Sequence, residues 1–376
     1  MTASRAHLVK GRALIAAGGT GGHVYPALAV ALELVSRGWS VDWLGTERGI
    51  EQRVVPAAGL PLHYLTVSGF RGKTMIARLK ALAWLGISLW QSLQILRRIQ
   101  PDVVLGMGGY TAGPAGVAAW LSRRPLVLHE QNAVAGTTNR LLAPLAKRIL
   151  TGLPGGFRGE RKVEIVGNPV RVGLAVIDRI HLDDMPQFTG DRPLRILVLG
   201  GSLGAAPLNR LIPLVANEMA IRGSLDKIAI WQQCGGRNRV EAEQAWQDSQ
   251  SASGRLDDFI EDMTSAYAWA DLVIARAGAL TVSELAVTGT ASLLIPLPQA
   301  IDDHQTKNAQ VLAESGAAIL LAQPEATAER VADLLEGWIA SPLSVATMSR
   351  AALGLSRADA TDRVVAVIKE VAHAGV

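Results

Sequence analysis

The sequence predicts an α/β protein built on two doubly wound parallel sheets, and three observations predict it. Short apolar runs end in glycine or polar loops and feed segments of helical spacing, the alternation that a parallel sheet requires. The opening of the first half, residues 13–17 followed by Gly18-Gly19-Thr20-Gly21-Gly22, is rebuilt in the second half as residues 194–199 followed by Gly200-Gly201-Ser202-Leu203-Gly204. A chain of 376 residues is also too long for one ordinary core and suggests two domains of roughly 150 to 200 residues each. Two Rossmann-like units in tandem, facing a crevice, satisfy all three.

Composition narrows the class. A hydrophobic content of 49% and a mean hydropathy of +0.23 suit a well-buried fold. The single cysteine, Cys234, has no partner for an internal disulfide, and a reducing compartment is the simplest explanation. After Arg5, Lys10 and Arg12 the apolar run lasts only from 13 to 17, too short for a secretory signal. The uncharged stretch 81–96 contains Ser88, Gln91, Ser92 and Gln94 and falls short of the ~20 apolar residues of a membrane span. The net charge of +4 hides an asymmetry: residues 1–170 carry 20 Lys and Arg against 8 Asp and Glu, and residues 171–376 carry 17 against 25. The first half seeks anions and the second does not.

Taken in order, residues 13–17 form a buried strand, the glycine loop follows, and residues 26–37 have helical spacing up to Gly38, before a strand at 41–44. The dinucleotide fingerprint G-x-G-x-x-G fails at Val24, which disfavours a dehydrogenase. Gly69-Phe70-Arg71-Gly72-Lys73-Thr74 fails as a phosphate loop at Val67 and reads as a basic loop. The helix expected over Met75–Ile99 sets Met75, Ile76, Leu79, Leu82, Trp84 and Leu85 beside Arg71, Lys73, Arg78 and Lys80. Two readings stay open for it: an anionic membrane surface, with apolar groups dipping in and cations on headgroups, or a core-facing stripe with a solvated back.

Residues 103–105 run into Gly106-Met107-Gly108-Gly109-Tyr110, residues 126–128 into His129-Glu130-Gln131-Asn132, and residues 163–166 into Gly167-Asn168-Pro169-Val170-Arg171, a domain junction. Loops at the carboxyl ends of parallel strands line the ligand crevice, so the first two should converge with the Gly18 loop. In the second half, strands are expected at 194–199, 228–232, 259–263, 272–275 and 292–295, a helix opens at Asp302, and the tail sets Val364, Val365, Val367, Ile368 and Val371 on one helical face.

The segment 271–284 carries the most chemistry. A strand that ends at Gly278 and feeds a helix makes a place for phosphate, and Glu284, one turn in, is able to accept two hydrogen bonds from a ribose diol. The alternative is that Thr281 and Ser283 merely cap a buried helix and Glu284 is solvated. Ser202 divides likewise between a phosphate donor and a helix cap. His23, directly after a glycine loop, is a candidate neutral base against a structural histidine. No H-E-x-x-H, paired C-x-x-C or Asp-x-Asp occurs, so no metal is expected, and a leaving diphosphate must rely on helix termini, N–H groups and hydroxyls.

Seven motifs occur in order across nearly the whole chain: the Gly18–His23, Gly106–Tyr110, His129–Asn132, Gly167–Arg171, Gly200–Ser202 and Arg276–Glu284 runs and His304-Gln305-Thr306-Lys307-Asn308. Together they closely resemble the bacterial peptidoglycan glycosyltransferases of the GT-B fold. The resemblance implies transfer of N-acetylglucosamine from UDP-N-acetylglucosamine to the C4 hydroxyl of lipid I, the undecaprenyl-pyrophosphoryl-muramoyl-pentapeptide, giving lipid II with inversion and with no cofactor. It implies an acceptor-binding, membrane-associating domain at 1–170 and a UDP-sugar domain at 171–376, whose last helix, about 357–376, packs back on the first. It also implies the cytoplasmic face of the inner membrane, with lipid I, the anionic membrane surface and other cell-wall proteins as partners, and no nucleic acid.

Carried over by motif, Ser202 and the backbone of Ala279, Leu280 and Thr281, with Val282 and Ser283 behind them, would hold the donor phosphates. Glu284 would take the ribose, the Ile260 backbone the uracil edge, and Gln305 with Asn308 the sugar. Thr20, Gly21, Gly22, Asn132 and Arg171 would reach the donor near the reacting centre, and His23, Tyr110, Glu130 and Asn132 the acceptor. Whether His23 is the base or an acceptor pyrophosphate binder stays open. Met75, Ile76, Leu79 and Trp84 would meet the membrane. The rivals are a sugar-nucleotide 2-epimerase, which needs no basic amphipathic helix, and a membrane-bound nucleotide or lipid-binding module, which needs no polar clefts.

Overall fold

The computed structural model describes residues 9–66, 75–157, 162–171, 173–174, 188–201, 204–249, 254–298 and 301–374, with the backbone alone for 75–83 and 301. By its contacts the chain divides into two compact units, residues 1–171 with 358–376, and residues 172–357.

The first unit is organised by a seven-stranded sheet. Its strands are β1 (Arg12–Ala16), β2 (Ser40–Gly45), β3 (Leu62–Tyr64), β4 (Val103–Gly106), β5 (Leu126–Glu130), β6 (Arg148–Thr151) and β7 (Val163–Ile165). They lie in the order β3-β2-β1-β4-β5-β6-β7, all parallel. Leu14 pairs with Asp42 on one side and Val104 on the other. β1, β4 and β5 are buried along nearly their whole length, which is why they read as unbroken apolar runs.

The second unit repeats the plan with β8 (Leu194–Leu199), β9 (Ile228–Gln233), β10 (Arg255–Asp257), β11 (Leu272–Ala275), β12 (Ala291–Leu294) and β13 (Ala318–Leu320). Their order is β10-β9-β8-β11-β12-β13, again parallel. In each sheet the order reverses between two central strands, β1 and β4 in one and β8 and β11 in the other. That reversal opens a crevice at the carboxyl edge, because the connections on either side leave in opposite directions.

Two expected elements differ. The strand sought at 259–263 lies earlier, at Arg255–Asp257, because Asp262 caps the helix Met263–Trp269 by accepting from the Ser265 N–H and turns the chain out of the sheet. The helix sought at Asp302 begins at His304, since Asp302 and Asp303 both hold positive φ angles, which a continuous helix excludes.

The core of the first unit is completed from far along the chain. On the helix Ala360–His373, Val364, Val365, Val367, Ile368 and Val371 are buried in one cluster with Ile15 of β1, Val30 and Leu34 of the helix Gly21–Ser36, and Trp39. Ion pairs from Arg37 to Asp362 and from Arg148 to Glu370 flank that seam, but such half-exposed pairs add little beside the apolar burial. Ile368→Ala is therefore expected to lower unfolding stability by about 2–5 kcal/mol, and Leu343→Ala, at a 69% exposed position, by less than about 0.5 kcal/mol. Denaturant melts of both variants check this.

Candidate functional site

At the switch point of the first unit, β1 runs out through Gly18-Gly19-Thr20 into the helix Gly21–Ser36, and β4 runs out through Met107-Gly108 into the helix Gly109–Leu121. The two loops touch. A Cβ on Gly109 (φ +77°) would lie 2.8 Å from the Gly18 carbonyl oxygen, so only glycine allows the approach. Beneath them Glu51, fully buried, accepts from the Gly19 N–H (3.0 Å), the Thr46 N–H (2.9 Å) and the Thr46 hydroxyl (2.8 Å). Thr20 and Gly22 remain exposed, Gly21 is buried, and Tyr110 is 54% exposed at the start of its helix.

His23 stands in the first turn of the helix, half-buried, its ring lying against Gly108. Its Nδ1 is 2.9 Å from Gln131 Oε1. Gln131 Nε2 is 3.2 Å from His129 Nδ1 and 3.3 Å from the His129 carbonyl oxygen, and His129 Nε2 is 3.0 Å from the Gly167 carbonyl oxygen. Burial pushes the His129 imidazole down to about 4, against smaller opposing effects of Gly167 and Glu130. The Asn168 amide ties the Gly167 loop to the Gln131 carbonyl (3.0 Å). Arg171 lays its guanidinium 4.6 Å from the ring centre of Tyr25.

Glu130 is a correction. It is 2% exposed, and its carboxylate accepts from the Asn132 N–H and side-chain amide, the Gly136 N–H and the Asn139 amide. With both oxygens engaged inside the loop, it positions Asn132 and is not presented to an acceptor.

In the second unit β8 ends at Gly200-Gly201, and β11 ends at Arg276-Ala277-Gly278, the entry to the helix Ala279–Thr288. That helix presents the positive end of its dipole at the carboxyl edge of the sheet, beside Ala279, Leu280 and Thr281. Ser202 lies outside the described residues. Glu284 is 4% exposed and accepts from the Tyr267 hydroxyl (3.0 Å). Val282 and Ser283 are buried, and the Val282 N–H donates to the Gly278 carbonyl.

Three other expected residues make contacts within their unit. The Ile260 N–H donates to Gln233 Oε1 (2.9 Å). Asn308, fully buried, donates to the Ala277 carbonyl (3.1 Å) and holds the turn before the helix. Gln305 accepts from the Leu297 N–H (2.9 Å), which fixes the loop after β12. The side chains of Met75, Ile76 and Leu79 lie outside the described residues, and Trp84 is 40% exposed.

Sequence reasoning passed over several residues that shape these edges. Arg276, 7% exposed, donates to the carbonyls of Ile295 (2.9 Å) and Pro296 (3.0 Å) and to Gln323 Oε1 (2.5 Å). Burial lowers its pKa, yet a guanidinium stays charged, and among the described residues no carboxylate pairs with it. Glu51 and Tyr267 were missed because each comes from an element without a glycine motif. Among the described residues no three His, Cys, Asp or Glu side chains gather as a metal ion would need.

Two Rossmann-like units with glycine loops at both switch points define the GT-B class of glycosyltransferase. Residues 13–151 match the glycosyltransferase family 28 N-terminal domain and residues 195–364 the family 28 C-terminal domain. The chain is 48% identical over 360 residues to a Stutzerimonas stutzeri protein named UDP-N-acetylglucosamine--N-acetylmuramyl-(pentapeptide) pyrophosphoryl-undecaprenol N-acetylglucosamine transferase, covering 96% of this chain and 98% of that one. An Azotobacter vinelandii protein of the same name is 49% identical over 360 residues, with the same coverage. The crystal structure of Acinetobacter baumannii MurG superposes with a TM-score of 0.79 at 35% identity, covering 96% of this chain and 99% of that one. The chain belongs to glycosyltransferase family 28.

Two outcomes follow from this geometry. Glu51→Gln turns its amide N–H₂, whichever way it lies, toward a backbone N–H of Gly19 or Thr46 that can only donate, and should cost about 1–3 kcal/mol, read as a lower denaturation midpoint. His129, neutral in the fold at about 4 against an ordinary value near ~6.5 unfolded, binds fewer protons when folded. Its stabilisation is therefore complete above pH ~6.5 and is lost as pH falls toward 4, by about 3 kcal/mol. Denaturant titrations of wild type and His129→Gln between pH 7 and 4 should converge as this contribution disappears.

Proposed function

We propose that the protein transfers N-acetylglucosamine from UDP-N-acetylglucosamine to the C4 hydroxyl of the muramoyl sugar of lipid I, producing lipid II with inversion, at the cytoplasmic face of the inner membrane. The observation that carries the reading is His23 at the switch point of the first unit, with Nδ1 held by Gln131 and Nε2 without a partner among the described residues. The names of the relatives supply the substrates.

In this reading His23 Nε2 takes the proton from the acceptor hydroxyl as its oxygen attacks the anomeric carbon. The bond from that carbon to the diphosphate breaks on the opposite face, which inverts the centre. UDP leaves into the second unit, where the N-terminus of the helix Ala279–Thr288 and the charge of Arg276 stabilise the diphosphate. Glu284, oriented by Tyr267, receives the ribose, and Thr20, Asn132, Tyr110 and Arg171 complete the reacting centre.

Membrane association is supported by the outward face of one helix. On Met75–Ile99, Ser88, Ser92 and Leu96 are buried and Leu89 and Leu93 pack on the core, while Trp84, Leu85, Ile87 and Trp90 are exposed, Trp90 by 62%. Indoles and aliphatic side chains stand outward where a water-facing helix carries polar groups, which suits an interface where aromatic rings sit at headgroup level. Among the described residues no helix is long and apolar enough to cross a membrane.

Incubation with UDP-N-acetylglucosamine and a lipid I analogue should yield the disaccharide lipid; an epimerised sugar or an unchanged mixture would displace the proposal. His23→Ala should lower kcat by roughly 10²–10⁴-fold with donor affinity retained, and full turnover would remove the base from this position. Trp90→Glu should weaken co-sedimentation with anionic vesicles while leaving turnover of a water-soluble acceptor intact.

A further inference from the structure

We propose that Gln131 and His129 are positioning residues that hold His23 as the tautomer protonated on Nδ1, so that the Nε2 lone pair is the one presented at the site. This rests on the reading of His23 as base, but its test is separate.

The argument starts from the buried end, where the proton positions are not free to vary. The Gly167 carbonyl oxygen can only accept, so His129 Nε2, 3.0 Å away, carries the hydrogen. His129 has no exposed surface and burial keeps it neutral, which leaves Nδ1 without a proton and able only to accept. The atom facing it at 3.2 Å, Gln131 Nε2, also faces the His129 carbonyl oxygen at 3.3 Å. Both neighbours accept, so this end of the amide must be its N–H₂ group and the opposite end its oxygen. That oxygen lies 2.9 Å from His23 Nδ1. Two acceptors do not share a hydrogen bond, so Nδ1 donates. A neutral imidazole has one hydrogen, and Nε2 is left bare.

The relay is therefore directional: His23 Nδ1–H to Gln131, Gln131 to His129, and His129 to the main chain. Each link is buried behind the ring. Gln131 is 1% exposed, and turning its amide over would set the oxygen against His129 Nδ1 and the His129 carbonyl oxygen, two acceptors, so its orientation is fixed. The other charged or titratable groups near it, Glu130 and Glu51, are tied to Asn132, Gly136 and Asn139 and to Gly19 and Thr46 and do not enter the chain. The ring itself rests on Gly108, where a Cβ would come within 3.1 Å of His23 Cε1. An amide orients the ring without adding charge, unlike the carboxylate that performs this task in serine hydrolases. When Nε2 accepts a proton, Nδ1–H already points at its partner, and no hydrogen bond behind the ring has to change.

The experiment is ¹⁵N NMR of protein labelled at the histidine side chains, at pH 8, with His23 and His129 assigned from single variants. The expected spectrum has His23 with a protonated Nδ1 and an unprotonated Nε2, and His129 with the opposite pattern. Gln131→Ala should shift His23 toward the Nε2–H form and lower kcat by about ten- to a hundredfold, short of the ~10⁴ lost when a charged orienting partner is replaced, with the donor KM within about twofold. Nε2–H on His23 in the unaltered protein overturns the proposal whatever the variants do, and so does Gln131→Ala with the tautomer unchanged. If the tautomer is as assigned and His23→Ala still turns over fully, the relay stands and the general-base reading falls.

Discussion

The approach of two main chains at one point governs much of the first unit. Gly109 lies so close to the Gly18 carbonyl that a Cβ would intrude to 2.8 Å, and this contact exists because the sheet order reverses between β1 and β4. With the loops in contact, the helix Gly21–Ser36 starts where His23 can rest on Gly108, and Glu51 fills the space beneath, taking the Gly19 N–H. A side chain at Gly109 would drive the two loops apart. The second unit obeys a related constraint, with Gly204 packed on the Cys234 carbonyl and Gly200 on the Ala205 N–H.

The same topology sets buried polar residues that hold the loops beside exposed ones at each edge. Glu130, Asn308 and Asn168 are fully or nearly fully buried, and each spends hydrogen bonds on backbone groups that a sheet or helix cannot reach. Thr20, Gly22 and Tyr110 are exposed on the same edge as Glu130. A buried polar side chain in a loop is costly unless its groups find partners, so the motifs carry residues whose work is to support the loop.

This explains how much was legible beforehand. The alternation of apolar runs and glycine loops foretold both sheets and the positions of their edges, because parallel strands buried on both faces leave continuous apolar stretches. What the pattern does not encode is direction. Glu130 and Asn132 stand two residues apart in one motif, yet one is buried under the loop and the other is only half-buried. Ile260 was placed in a strand expected over 259–263, whereas the Asp262 cap turns the chain out of the sheet there. Arg276 was read as part of a motif but not as a buried charge, since burial there comes from the loop after β12, distant in sequence. Glu51 and Tyr267 carry no local signal and emerge only when remote elements pack.

The closing of the first unit's core by residues 358–376 sets an order on biogenesis. Val364, Val365 and Ile368 fill a space against Ile15 and Val30 that stays open throughout synthesis of everything between. On the ribosome the middle of the chain, 172–357, has all of its own contacts available first, and the amino-terminal unit waits with an uncovered apolar groove. Domains usually mature in the order in which they are made; here the first to emerge is the last to be sealed, and a nascent chain halted before its final helix exposes a surface that chaperones would recognise.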